Sequence, residues 1–240
     1  TDTEKAKVIL SFDDGYKDFI EIAHPILLKH GIRANHNIIP NCVNRQRPPI
    51  NVTLQDYIGN ISKKELRKLK IPKYSWNQNL TKYQEGLRLS RHIKNNPHSV
   101  QLEIEKYCHE QLGDRLYEFA TPMMNRDDIL KILNFYDWGA HSFFHSNMGL
   151  ETDNFFRNDL LSCKKWFKDK LGLESYIYAF PNGSFKESNF KLAIHAGFTD
   201  LLLVNDNFSH SNQNIHCRFG FHANSEIEMI YKATGSQKKI

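Results

Sequence analysis

Two adjacent aspartates, Asp13 and Asp14, follow directly on an apolar run at residues 8–10 that is typical of a buried strand. Carboxylates at the mouth of such a strand are costly in free energy unless they have partners. Two like charges this close also raise the pKa of one carboxyl group unless a cation neutralises it. The pair therefore requires a fold that brings a cation or a metal ion to the end of this strand.

Strand and helix patterns alternate along most of the chain. Residues 8–11 are predicted to form a fully buried strand, residues 19–30 an amphipathic helix ended by Gly31, and residues 33–39 a second strand. This β-α-β start predicts a parallel α/β sheet or barrel, whose strands carry active sites at their carboxyl ends. Further helices are predicted at 125–133, 154–171 and 187–196, and further strands at 176–180, 201–204 and 218–221.

One stretch interrupts the alternation. Residues 44–120 are predicted to form a helical insertion within a single domain that spans residues 1–240. Residues 41–53, where the insertion begins, are rich in Arg, Pro and Asn and are expected to be a loop. Helices are predicted at 81–93 and 99–112, and the Ser-x-x-Glu pattern that begins at residue 62 is typical of a capping box.

Composition excludes several function classes. The 240 residues are 40% hydrophobic with a net charge of +5, and they contain no aromatic-basic motif for nucleic acid. No apolar run has the ~18 residues of a membrane span, although the basic surface leaves peripheral contact with an anionic membrane open. The polar start shows no signal peptide, so a cytoplasmic location is expected. Four scattered cysteines predict free buried thiols, and nothing in the sequence indicates the oligomeric state.

A pair of histidines offers the cation site that the aspartates require. His141 and His145 are four residues apart and follow a predicted strand end. Two of the twelve histidines could lie this close by chance, but together with Asp14 they form a plausible Asp-His-His metal triad. Three protein ligands leave coordination positions for water and substrate, which is the catalytic pattern. Zn²⁺ is the expected ion, while Co²⁺, Ni²⁺ and Fe²⁺ accept the same ligands.

These motifs resemble those of the polysaccharide deacetylase family, carbohydrate esterase family four. Ser11-Phe12-Asp13-Asp14-Gly15 matches the family's Thr-Phe-Asp-Asp-Gly with one conservative change. The two histidines have the spacing of its His-Thr-Val-Thr-His form, and Phe180-Pro181-Asn182-Gly183 is similar to its strand followed by Pro-Tyr-Gly. The resemblance covers roughly residues 7–40 and 122–222.

The resemblance implies a distorted (β/α) barrel with a helical insertion, and metal-assisted removal of an acetyl group from a sugar. Asp14, His141 and His145 would bind the metal, and Asp13 would be the general base. Residues 181–183, which are Pro181, Asn182 and Gly183, would bind substrate. The main-chain N–H of Asn182 would stabilise the oxyanion that forms when water attacks the acetyl carbonyl.

The sequence departs from the family pattern at two points. The third motif lacks the arginine that orients the base, and Arg218 is the candidate replacement, with an ordinary surface arginine as the alternative. The acid that protonates the leaving amine is also not evident in the sequence. His222 is the first candidate and His216 the second, and Asp206 would either support such a histidine or form a turn.

The expected function is hydrolysis of an N-acetyl, or less readily an O-acetyl, group on an amino sugar of a polysaccharide, oligosaccharide or glycolipid. The alternatives are hydrolysis of another non-peptide C–N bond on the same scaffold, and a catalytically silent carbohydrate-binding relative. A plain structural domain would leave the four motif residues without a role. Three aromatic residues of the insertion either stack on a sugar ring or form the insertion's own core: Tyr74, Trp76 and Tyr83.

Overall fold

The computed structural model describes residues 8–209, 213–221, 223 and 225–233. Six parallel strands in this part of the chain form one sheet, and each strand pairs only with its neighbours in sequence. In a doubly wound sheet the strand order changes direction at one point, whereas in a barrel the strands follow one another in chain order. The strands are Ser11–Asp14 (β1), Asn35–Ile38 (β2), Asp137–Ala140 (β3), Ile177–Ala179 (β4), Asp200–Leu202 (β5) and Ile215–His216 (β6).

The sheet curls into a half-barrel surrounded by helices, so the predicted distorted (β/α) barrel is confirmed. The helices are His24–Lys29 (α1), Pro40–Arg45 (α2), Ile50–Asn60 (α3), Lys63–Leu66 (α4), Lys82–Lys94 (α5), His98–Leu112 (α6), Arg126–Lys131 (α7), Asp153–Trp166 (α8), Glu187–His195 (α9) and Glu226–Ala233 (α10). Wide π-type turns precede α1 and follow α8, at Phe19–Ala23 and Phe167–Leu171. The described helices are too short or too polar to cross a membrane.

The inner face of β1 and β2 is polar. Ser11 and Asp13 lie opposite Asn35 and Asn37 in register, and their side chains form hydrogen bonds with one another. The alternate residues face the helices, so Phe12 packs against the main hydrophobic core. A strand has this two-residue period because its successive side chains point to opposite faces.

This polar face explains an error in the predicted first strand. Strand β1 covers Ser11–Asp14 rather than residues 8–11, and Val8 and Ile9 are 79% and 78% exposed. Strand β1 can continue through the polar residues Ser11 and Asp13, because their side chains form hydrogen bonds with Asn35 and Asn37 of β2. The apolar run therefore lies before the strand and is not buried.

Two further predictions are wrong for identifiable reasons. Residues 41–53 are not a loop, since most of them belong to α2 and α3. Pro40 and Pro49 lie at the starts of these helices, where proline loses no intrahelical hydrogen bond. The last predicted strand, residues 218–221, is also absent, and β6 lies earlier at Ile215–His216. Asp206 holds the later segment instead, because its carboxylate accepts the Gly220 N–H and its own N–H donates to the Arg218 carbonyl.

The helical segment between β2 and β3 has a hydrophobic cluster of its own. Its buried members come from residues 50–116 and include Leu54, Leu89 and Ile104. Tyr74 and Trp76 pack against this cluster, as the core interpretation predicts, while Tyr83 is 70% exposed. The capping boxes at Ser62 and Thr81 begin α4 and α5. The four cysteines are free, and all except Cys217 are buried.

The strand-to-strand packing around Gly139 yields a first prediction. A Cβ atom at Gly139 would collide with Asn37 Oδ1 and lie 2.9 Å from Ile177 Cγ2. Gly139→Ala is therefore expected to lower the free energy of unfolding by about 1–3 kcal/mol, the usual cost of overpacking. Denaturant unfolding measures this change.

Gly59→Ala is the matched control. Gly59 lies inside α3, and a Cβ atom there meets nothing within 4 Å. Alanine is favoured over glycine in a helix by roughly 1 kcal/mol, so this variant should be as stable as the wild type or more stable. Equal loss of stability in both variants would contradict the packing argument.

Candidate metal centre

The site lies at the carboxyl ends of β1, β3 and β4. Asp13 and Asp14 end β1, His141 follows β3 directly, and Asn182 follows β4 within a short turn. Four residues at this edge have positive φ although none is glycine: Asp14, Ser142, His145 and Asn182. Such backbone conformations cost of order 1–3 kcal/mol each and cluster at functional sites.

Three side chains converge here from distant parts of the chain. His141 Nε2 and His145 Nε2 each lie 3.5 Å from Asp14 Oδ1, and the three ligand atoms are within 4.8 Å of one another. Two ligands that sit about 2.1 Å from one tetrahedral zinc ion are about 3.4 Å apart. The distances therefore fit a common metal ion, and the structure brings together the three side chains named from the sequence.

The protonation states of the three side chains fit the same ion. His141 Nδ1 lies 2.9 Å from the carbonyl oxygen of Ala179, which can only accept, so Nδ1 carries the proton and Nε2 keeps its lone pair. Burial lowers the pKa of His141 and, together with the Lys94 charge, brings that of His145 to about 4, so both rings are neutral near pH 7.

The carboxylate of Asp14 has no protein partner that would account for its burial. Its Oδ1 atom is buried and has no hydrogen-bond partner among the described residues. Burial raises the pKa of Asp14, and the neighbouring Asp13 charge adds to this effect. A bound cation would reverse both penalties, so this donor set fits a divalent metal ion.

Asp13, the second carboxylate, is held differently. Both of its oxygens accept hydrogen bonds from Arg218, at 2.8 and 2.9 Å, and Oδ1 also accepts from Asn37 Nδ2 at 2.8 Å. Burial alone would raise the pKa of Asp13. The charge of Arg218 and the hydrogen bonds from Arg218 and Asn37 outweigh burial and hold the pKa of Asp13 well below its usual range. Asp13 is therefore ionised, and it lies next to the triad.

Arg218 reaches Asp13 across the open side of the half-barrel. It follows β6, and its Nη1 also donates to Ser11 of β1 at 2.9 Å. Its Nε donates to the Leu203 carbonyl at 3.1 Å. The side chain is only 14% exposed, which an ordinary surface arginine would not be.

Of the remaining candidate site residues that the structure describes, only Asn182 lines the cleft. Asn182 lines the cleft beside the triad, whereas Pro181 is buried and Gly183 packs against Val204. His222 lies outside the described residues. His216, the second candidate for the acid, contacts Asp200 at 2.9 Å.

Asp159 of α8 supports the histidine loop, and the sequence analysis missed it. Its Oδ1 accepts from Ser142 Oγ and from the Phe143 N–H, both at 2.8 Å, and its Oδ2 accepts from Tyr178 at 3.0 Å. These contacts fix the loop that carries His141 and His145. The available signal was an aspartate on the apolar face of a helix, one residue before Leu160, where a charge needs buried partners.

The triad opens into a cleft of about 270 Å³. The barrel side contributes Asp13, Asp14, Tyr16, His141, His145 and Asn182. The facing wall comes from the helical segment and consists of Pro49, Asn51, Val52, Gln55, Ser90 and Lys94. The helical segment therefore shapes the space that a substrate would occupy.

Known structures share this architecture. No family model and no curated protein matches the sequence. The structure is similar to the Streptococcus pyogenes deacetylase PplD in complex with acetate, at 12% identity and TM-score 0.59 over 96% of this chain and 71% of that one. It is also similar to a de-N-acetylase from Aggregatibacter actinomycetemcomitans, at 12% identity and TM-score 0.54 over 94% of this chain and 74% of that one. A third similar structure is BC0361, a polysaccharide deacetylase from Bacillus cereus, at 10% identity and TM-score 0.54 over 95% of this chain and 50% of that one.

The parallel half-barrel with polar residues at its strand ends thus defines a distorted α/β barrel. More narrowly, the chain has the polysaccharide deacetylase fold.

The buried carboxylate of Asp159 gives a second prediction. Burial raises its pKa to about 6, above the unfolded value near 3.8, because burial outweighs the hydrogen bonds it accepts. The folded state therefore binds the proton more tightly, and the stability from this proton is lost as the pH rises from about 4 through 6. Asp159→Asn cannot ionise, so the metal-free variant should gain stability relative to wild type over this interval, by roughly 3 kcal/mol.

Denaturant unfolding between pH 4 and pH 7 measures the difference between the two proteins. Asp127→Asn is the control, since Asp127 is exposed on α7. Its stability curve should stay parallel to that of wild type. If the stability curve of Asp159→Asn were also parallel to that of wild type, Asp159 would not have the raised pKa assigned to it.

Proposed function

We propose that the protein is a metal-dependent hydrolase that removes an N-acetyl group from an amino sugar in a saccharide or glycolipid. The observation that carries this proposal is the convergence of Asp14, His141 and His145 beside an ionised Asp13. Similarity to known deacetylases of the same fold supports it.

In this proposal Asp14, His141 and His145 hold one divalent ion, with Zn²⁺ first and Co²⁺, Ni²⁺ or Fe²⁺ as alternatives. When bound, such an ion supplies Lewis-acid chemistry that polarises a carbonyl and lowers the pKa of water. Asp13 accepts the proton of the attacking water, because its carboxylate is ionised and adjacent to the triad. Arg218 positions Asp13 through two parallel hydrogen bonds.

Two further roles complete the proposed reaction. The main-chain N–H of Asn182, which lines the cleft, is assigned to the oxyanion that forms on the acetyl group. His222 keeps the assignment of protonating the leaving amine, since His216 is engaged with Asp200. Release of acetate from acetylated saccharides, together with elemental analysis of the purified protein, tests the proposal. Release of ammonia or another amine without acetate would favour hydrolysis of a different C–N bond.

The two aspartates should separate metal binding from turnover. Asp13→Asn is expected to keep one metal ion per chain while kcat falls by about 10²–10⁴, because only the proton acceptor is lost. Asp14→Asn should lose the metal, because it removes a charged ligand. Elemental analysis after dialysis and an acetate-release assay measure the two properties.

Asp18→Asn is the matched control, since Asp18 is an exposed carboxylate a few residues later. It should keep both metal and activity. Loss of metal in Asp13→Asn would overturn the separate roles of the two aspartates.

Replacing Arg218 should change the pH dependence of turnover. The Arg218 charge helps to hold the pKa of Asp13 low, so Arg218→Met is expected to raise that pKa. The acidic limb of the kcat/KM profile then moves to higher pH by about 1–3 units, because Asp13 must be ionised to accept a proton. Arg218→Lys keeps the charge and should shift the limb less. An unchanged acidic limb in Arg218→Met would show that Asp13 is not the base.

A further inference from the structure

One wall of the cleft carries a positive charge that the proposed reaction does not use. Lys94 ends α5 and lines the cleft opposite the triad. Its ammonium group makes no hydrogen bond and no ion pair within the described part of the chain. The other cation near the site, Arg218, is fully engaged with Asp13.

The charge of Lys94 is close to the metal ligands. Lys94 lines the same cleft as Asp14, His141 and His145. A substrate group that binds between Lys94 and the triad would therefore interact with the ammonium group and with the triad.

The position of Lys94 is fixed by contacts with the histidine loop. Asn147, two residues after His145, donates to the Lys94 carbonyl at 3.0 Å. The N–H of His98 donates to Glu151 Oε1 at 2.6 Å, and the His98 ring stacks on Phe144 at 4.4 Å. The end of α5 is thus tied to the same loop that carries the candidate ligands.

Two polar side chains beside Lys94 line the same wall of the cleft. Ser90 lies one turn before Lys94 on α5, and Asn51 of α3 donates to its hydroxyl at 3.2 Å. Both side chains line the cleft. A hydroxyl, an amide and an ammonium together supply donors for an anion's oxygens.

The charge balance favours the same kind of ligand. Asp13 and Asp14 carry two negative charges, and Arg218 and Lys94 carry two positive ones. A divalent ion on the triad would leave the cleft with a net charge of +2, and a cleft of one sign attracts ligands of the other.

We propose that Lys94 selects acetylated saccharides that carry an anionic substituent, a carboxylate or a phosphate, on or next to the acetylated sugar. This inference rests on the proposed function, because it assigns the substrate class of the same cleft. Lys94 is a specificity-determining residue in this arrangement and takes no part in proton transfer.

Binding to the zinc-loaded Asp13→Asn protein tests the proposal without turnover. Calorimetry compares three probes of equal length: neutral N-acetylglucosamine oligomer, a saccharide that alternates N-acetylglucosamine with glucuronic acid, and N-acetylglucosamine oligomer that carries phosphate. At low salt at least one anionic probe should bind about tenfold more tightly than the neutral one, and the stronger of the two identifies the anion. Added salt should reduce this preference.

Substitutions assign the preference to Lys94. Lys94→Gln in the same background should bring the ratio of the dissociation constants of neutral and anionic probes to about one, while Lys94→Arg should keep it within about threefold. Arg91→Gln, which removes an exposed charge from the same helix, is the control and should leave the ratio unchanged.

Three outcomes would overturn the proposal: no preference for either anionic probe, an unchanged ratio in Lys94→Gln, or an effect of Lys94→Gln on zinc affinity alone. Failure of the proposed function has a different signature. In that case the unmodified protein releases no acetate from any probe, whatever the binding ratios are.

Discussion

The ion pair between Asp13 and Arg218 is the interaction on which the site depends. Strands β1 and β6 are the two ends of the sheet and do not pair with each other in the described structure. Arg218 joins the chain after β6 to β1 by bonding Ser11 and both oxygens of Asp13. The same contact keeps Asp13 ionised and in place. One interaction therefore spans the open side of the half-barrel and fixes the proposed base.

The two buried aspartates at the end of β1 differ in the groups that compensate their negative charges. Asp13 is stabilised by a guanidinium and an amide. Asp14 Oδ1 has no hydrogen-bond partner among the described residues and lies 3.5 Å from two imidazoles. A residue that the protein leaves unsatisfied in this way is destabilising unless a ligand completes it. Asp14 and His145 also have positive φ, a backbone conformation that costs stability and clusters at functional sites.

The sequence predicts those parts of the fold and site that depend on local pattern. The β-α alternation predicts the parallel barrel, and the acidic pair with the spaced histidines predicts the triad that the structure brings together. Helices α2 and α3 were missed because prolines that begin helices look like loop formers in sequence. Asp159 and Lys94 were missed because their roles come from packing between helices and the barrel, which no periodicity encodes. The start of β1 was misplaced because buried polar partners on β2 replace the expected apolar pattern.

The long separation between Asp13 and Arg218 constrains how the protein reaches its working state. The two residues are 205 positions apart, so Asp13 lacks its guanidinium partner until synthesis has passed residue 218. A nascent chain of 145 residues already contains Asp14, His141 and His145, but Asp159 and the Ala179 carbonyl, which hold the histidine loop and the His141 ring, are synthesised later. The candidate ligands and the residues that hold them are therefore all synthesised before Arg218, so the contact that fixes Asp13 becomes available last.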